Sequence, residues 1–228
     1  MRKAALFDLD STLTDHATAF ARWADEFGAS TGIPLSALMR AETLHGRARH
    51  AFFADLKSAF GLRRSIASLH ADYRRRSAEL VPYRPEVCTA MQQLADEGWE
   101  LGVITNGPPD AQRRKLETAR LTRHFASVVI SGEYGIRKPD EALFQVALDD
   151  LGVDDPAHAV MTGDSLIADI GGGQHAGLRT VWIANVRTRQ HLDPEPTHVA
   201  HDVVEAATWL LANPPRPERP SPLALVGG

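Results

Sequence analysis

Two aspartates one residue apart, Asp8 and Asp10, close an apolar run in ALFDLDSTLTD (residues 5–15), with Asp15 just behind. A single aspartate at a strand end is ordinarily a turn or helix cap. A pair at a spacing of two differs, because a strand period of two could turn both side chains to one side, where close carboxylates repel unless a cation or a shared proton intervenes. Asp164 and Asp169 in GDSLIAD would add to that charge if the fold brings them near. Such a cluster asks for a hard cation, and Mg2+ suits it, since it takes oxygen ligands, keeps several waters and commonly joins carboxylates to a phosphate oxygen. With phosphate held there, one aspartate can attack phosphorus to form an aspartyl-phosphate. The other can protonate the leaving oxygen and later take a proton from water. Asp8 is the expected nucleophile and Asp10 the expected acid and base.

Three further segments carry polar groups of the right kind. Lys138 in GIRKPD would read alone as a solvated lysine, but beside carboxylates its ammonium can hold a phosphoryl group and offset charge in the transition state. TNG at 105–107 is a hairpin signal, yet the following PPDAQRRKLETARL is helical, so the second strand of a hairpin is lacking. Thr105, Asn106 and Gly107 then lie before a helix N-terminus, where a hydroxyl and backbone donors can bind phosphate. GDSLIAD also reads as a capped helix start with Asp164 or Ser165 as the cap. Its company favours metal binding.

Elements must deliver these groups to one place. Apolar runs at residues 4–9, 101–105, 127–131, 159–163 and 180–184 suit strands buried on both faces. Helical patterns separate the later ones, at 85–97, 110–121, 140–151 and 166–176. This alternation predicts an α/β fold with a doubly wound parallel sheet, whose ligands sit beyond the carboxyl ends of the strands. Residues 16–82 break the pattern with helical stretches around 17–27, 48–60 and 65–80 and no convincing strand. They are expected to form a smaller all-helical cap, with 1–15 and 83–212 as the catalytic core. Pro82 and Pro85 mark the return to the core, and NPPRPERPSP opens an extended tail over 213–228.

The totals narrow the function classes. At 228 residues and 43% hydrophobic the chain can bury a substantial core. A net charge of −4 gives no field that would gather nucleic acid or anionic lipid, so neither is expected as a partner. No apolar run is long enough to span a bilayer, and the basic start meets Asp8 before a signal-peptide core could form. The single cysteine, Cys88, fits a reducing compartment as an ordinary buried thiol. A cytoplasmic protein is expected, with no signal for its oligomeric state.

These segments, in this order, resemble the haloacid dehalogenase-like superfamily over roughly residues 4–185. FDLDSTLTD is similar to its first motif, the threonine ending VIT to its second, Lys138 to its third and GDSLIAD to its fourth. The helical insert resembles the mobile cap placed after the first motif. The resemblance implies that Asp8 is phosphorylated, that Mg2+ contacts Asp8, the Asp10 carbonyl and Asp164, and that Asp169 supports the metal. It also implies that Thr105 and Lys138 bind the transferred phosphoryl group. Ser11 stands where glycine is common in the family. The run Gly171 to Gly173 falls inside an expected helix, where each glycine costs about 1 kcal/mol relative to alanine; close packing against the sheet would explain it. GGGQHA (171–176) also fits a dinucleotide fingerprint, but it does not follow a strand directly.

The expected activity is a Mg2+-dependent phosphomonoesterase acting on a small phosphorylated metabolite, a nucleoside monophosphate or a sugar phosphate. A sugar-phosphate mutase uses the same acid pair, and a phospho-aspartate receiver gathers a similar set, although the insert and Asp10 argue against a receiver. Substrate choice should fall to the cap, where His16, Arg40, His45, Arg47 and Arg49 are candidates beside ordinary surface readings. Trp23, Phe27, Phe52, Phe53 and Phe60 could stack on a base, though helical spacing makes them core candidates.

Overall fold

The computed structural model describes residues 2–46, 48–185 and 187–215. Arg47 and the expected tail from residue 216 onward lie outside the described residues.

Strand β1 (Lys3–Phe7) leads into helices α1 (His16–Thr31), α2 (Leu35–His45), α3 (Arg49–Phe60) and α4 (Ile66–Glu79). The chain then alternates through α5 (Pro85–Asp96), β2 (Trp99–Thr105), α6 (Pro109–Thr118), β3 (Ser127–Ile130), the short α7 (Ser131–Tyr134), α8 (Glu141–Leu151) and β4 (Ala159–Gly163). A π-helical turn, Leu166–Gly171, runs into α9 (Gly172–His175), followed by β5 (Arg179–Ile183), β6 (His198–Ala200) and α10 (Val203–Ala212). All strand pairs are parallel, in the order β3-β2-β1-β4-β5-β6. The sheet therefore grows outward from β1 in both directions, which is the doubly wound arrangement, and the crevice where strand order reverses lies at the ends of β1 and β4.

Strand parity divides the core. Ala5 and Phe7 of β1 pack with Val103, Val160 and Val181 under Val87, Met91 and Leu94 of α5 and Val203, Ala206 and Leu210 of α10. Ala4 and Leu6 face the other way, with Ile104, Val129 and Met161, against Leu143, Phe144, Leu148 and Leu151 of α8. Burial on both faces is why these strands read as unbroken apolar runs. Cys88 is a buried free thiol in the first layer.

Helices α1 to α4 enclose a cluster of their own, in which Phe20, Trp23, Leu38, Phe52, Phe53 and Tyr73 are buried. Trp23 stacks on Phe27 at 4.8 Å and meets Tyr73 edge-on at the same distance. The aromatic residues are thus core, apart from Phe60, which is exposed. Four elements escape the sequence pattern: α2, the short α7, β6, three residues long with an exposed centre at Val199, and α10 behind it.

The expected helix over 166–176 forms as a π turn continued by α9, and contact requires glycine at two of its three glycine positions, 172 and 173. A Cβ on Gly172 would stand 2.8 Å from the Phe144 ring and 2.9 Å from the Pro139 backbone, and one on Gly173 would stand 3.0 Å from Met161.

Candidate active site

The first acid sits one residue beyond β1, where its backbone N–H donates to the Thr162 carbonyl at 2.9 Å and so prolongs the pairing with β4. Asp8 is thereby fixed at the crevice, on the parity of Leu6. The chain next makes a tight loop in which Thr14 donates both its N–H and its hydroxyl to the Leu9 carbonyl, while Ser11 N–H donates to Thr14. Leu9 and Leu13 anchor the loop by burial, and Ser11 takes a left-handed φ of 64°. That conformation explains why glycine is common there. Asp15 serves as the cap of α1, accepting from Thr18 N–H at 2.9 Å and from its hydroxyl at 2.6 Å.

Four strand ends converge. Lys138, almost completely buried, donates to Asp8 Oδ1 at 2.7 Å and to the Ile104 carbonyl at 2.6 Å, and pairs with Asp169 Oδ1 at 2.6 Å. Carboxylate oxygens of Asp8, Asp164 and Asp169 all lie within 4.8 Å of one another, and all three residues are buried. Asp169 reaches the cluster because residue 163 is glycine: a Cβ there would collide with the Asp169 carboxylate. Asp169 Oδ2 accepts from Ser165 N–H at 2.9 Å, and Ser165 Oγ caps the π turn by accepting from Ala168 N–H. Asp164 is placed through its carbonyl, which accepts from Trp182 Nε1 at 3.0 Å and from Arg187 at 2.7 Å.

The electrostatics are those of a cation site. Burial pushes the Asp8 carboxyl up to about 6, with Asp169 and Asp10 adding to the rise and Lys138 partly opposing it. Burial would depress the Lys138 ammonium, yet Asp169 and Asp8 hold it above its ordinary value. Asp8 and Asp169 thus share the buried ammonium of Lys138, Asp164 pairs with Arg187 at 3.3 Å, and Asp8 Oδ2 is buried without a hydrogen-bond partner. An all-oxygen donor set with surplus negative charge and an unmet acceptor fits Mg2+.

Asp10 has a different environment. Lys115 donates to both its oxygens, at 2.7 and 2.8 Å, and Gln112 Nε2 donates to Oδ2 at 3.2 Å. Gln112 also donates to Thr105 Oγ1 at 2.7 Å and accepts from Lys115 at 2.8 Å, tying the two strand ends together. Burial works to raise the Asp10 carboxyl, but Lys115, His16 and the Gln112 bond outweigh it and keep the group ionised far below its usual range. The candidate acid and base is therefore held by two residues that sequence reading passed over. Their signal was present: Gln112 and Lys115 stand three apart on a helix entered directly from TNG, a spacing that puts both on one face.

The Asn106 side chain accepts from Lys138 N–H at 2.9 Å and donates to the Lys138 carbonyl at 3.0 Å, so its amide is engaged in aligning the lysine. Gly107 donates its N–H to Ser131 Oγ at 3.0 Å, and a Cβ on it would meet Gln112 at 2.9 Å. Among the candidates for substrate choice, His16 and Arg49 line a chamber beside Asp10, whereas His45 pairs with Asp55 at 2.7 Å and Arg40 is exposed.

Comparison with known proteins accords with this geometry. The family model for haloacid dehalogenase-like hydrolases matches residues 2–177, and the chain belongs to that family. It is 45% identical to the phosphoserine phosphatase of Thermus thermophilus over 102 residues, 45% of this chain and 41% of that protein. It is 29% identical to the glyceraldehyde 3-phosphate phosphatase of Pyrococcus abyssi over 211 residues, 80% of this chain and 81% of that one. The magnesium-bound HAD-hydrolase YfnB of Bacillus subtilis shares the fold, with a TM-score of 0.79 at 24% identity over 92% of this chain and 98% of its own.

Proposed function

We propose that the protein is a Mg2+-dependent phosphomonoesterase acting on a small phosphorylated metabolite, with Asp8 as nucleophile. One observation carries this reading: three buried carboxylates meet within 4.8 Å of one another, two of them on the buried Lys138, and Asp8 Oδ2 is buried without a hydrogen-bond partner. Relatives named as phosphatases of small phosphate esters support it.

Asp8, Asp164 and Asp169, with the Asp10 carbonyl, would hold Mg2+, which supplies the positive charge that lets a carboxylate approach an anionic phosphate. Asp8 attacks phosphorus and the bond to the leaving oxygen breaks. Lys138 and the Thr105 hydroxyl steady the transferred group, and Asp10 passes a proton to the departing oxygen. Because Lys115 keeps Asp10 ionised at rest, that proton enters with the monoanionic ester, whose second ionisation lies near 6. Asp10 then takes a proton from water as the water attacks phosphorus, the bond to Asp8 breaks, and inorganic phosphate departs carrying that proton, so that both carboxylates are restored.

The segment 16–82 acts as a cap in this scheme, with 1–15 and 83–212 as the core. Helix α4 lies against α6, and Arg74 pairs with Asp110 across that boundary at 3.0 Å. Incubation with phosphate esters and Mg2+ should release inorganic phosphate continuously, and Asp8→Asn should abolish release while the far-UV circular dichroism stays native. Activity surviving in that variant would refute the assignment of the nucleophile, and internal phosphate migration without release would indicate a mutase.

A further inference from the structure

Beside Asp10, Asn106 and Gly107 lies a chamber of about 170 Å3, walled on one side by α6 and on the other by residues of α3 and α4. The helical side is basic, contributing Arg49, His70 and Arg74, with Tyr73 and Ser77 between them. Each guanidinium is gripped by a carboxylate that does not line the chamber. Arg49 donates to both oxygens of Glu42 and lies 4.4 Å from the Tyr73 ring, and Arg74 pairs with Asp110. Guanidiniums anchored this way keep donors for a second anion, because the planar fork offers five. Asp10 is the single carboxylate on the wall, and Lys115 already neutralises it. The positive potential registers on His70, whose ring is held below its ordinary value by burial and then by Arg74 and Arg49. Tyr73 Oη is buried beside Ser77.

Size limits what can enter. An enclosed apolar cavity of about 150 Å3 holds benzene, with six heavy atoms, so the walls of this half-open chamber can surround a leaving group of about six to eight. A three-carbon hydroxy acid has about seven heavy atoms, whereas a nucleoside has more than twice that and would need a pocket in the larger range of ligand sites. Charge limits it further. A carboxylate accepts charge-assisted bonds from the donors that the paired guanidiniums have left, which an uncharged alcohol accepts only as ordinary hydrogen bonds.

We propose that the chamber selects a leaving group of about three carbons bearing a carboxylate, read by Arg74 with Arg49 beside it; the physiological substrate is then the phosphate monoester of a short hydroxy acid. This rests on the phosphatase reading above and narrows it.

The test is a comparison of kcat/KM, with Mg2+ present, for 3-phosphoglycerate, phosphoserine, glycerol 3-phosphate, uridine 5′-monophosphate and p-nitrophenyl phosphate. The two acids should exceed glycerol 3-phosphate at least tenfold, and the nucleotide should be the poorer substrate. Arg74→Met should bring the ratio between 3-phosphoglycerate and glycerol 3-phosphate close to one. Asp110→Asn, which breaks the pair across the boundary but keeps the guanidinium, should preserve that ratio. Equal rates for acid and alcohol esters, preference for the nucleotide, or an unchanged ratio in Arg74→Met would overturn this inference and leave the phosphatase reading standing. Release of phosphate from none of the five would overturn both.

Discussion

Asp8 and Asp10 are close in sequence and opposite in environment, which is how one loop can hold a nucleophile and a proton carrier. Burial pushes the Asp8 carboxyl up to about 6, so the folded chain bears a cost on the order of 1–3 kcal/mol at neutral pH. A carboxyl raised in the folded state gives stability that is complete below its unfolded value near 3.8 and is lost as pH climbs to about 6. Asp8→Asn removes that loss, so without divalent ions the variant should melt higher than the parent above pH 6, and the two should converge below pH 4. Scanning calorimetry across that range decides it. Lys115→Met leaves Asp10 without its cation and should lower stability by about 1–3 kcal/mol, measured by urea denaturation. Ser11→Gly should raise it by about 0.5–1 kcal/mol, since the left-handed φ costs serine and not glycine. The acids and Lys138 were legible as strand ends carrying charge. Gln112 and Lys115 were not read, because a charged helix face looks like a solvated one until the fold shows it turned inward.

At the scale of elements, the legible parts are those that repeat a pattern: five apolar runs bounded by helices, each buried on both faces. Strand β6 escaped because three residues with an exposed centre give no run to recognise. The helical segment declared itself by lacking strands, but only the packing shows that its aromatic residues form a core rather than a stacking surface. The glycines of 171–173 show the limit of propensity as a guide. An isolated helix would gain about 1 kcal/mol from Gly→Ala, yet Gly172→Ala here drives a methyl into Phe144 and the Pro139 backbone and should cost about 1–3 kcal/mol. The sign of the shift in the urea midpoint separates the two.

For the whole molecule, the two cores differ in how they are reached along the chain. The aromatic cluster of α1 to α4 joins residues from a single continuous stretch, so Phe53→Ala, which should cost about 3–5 kcal/mol locally, should raise hydrogen exchange in those helices before it does so in β1 and β4. The buried charges are assembled across long separations: Lys138 meets Asp8 over 130 residues. An ammonium and its acids cannot neutralise one another until β1, β2 and β4 lie side by side. These contacts are expected to form after the main barrier, so conservative changes at Asp169 or Lys138 should alter the unfolding limb of the chevron while leaving the folding limb nearly unmoved.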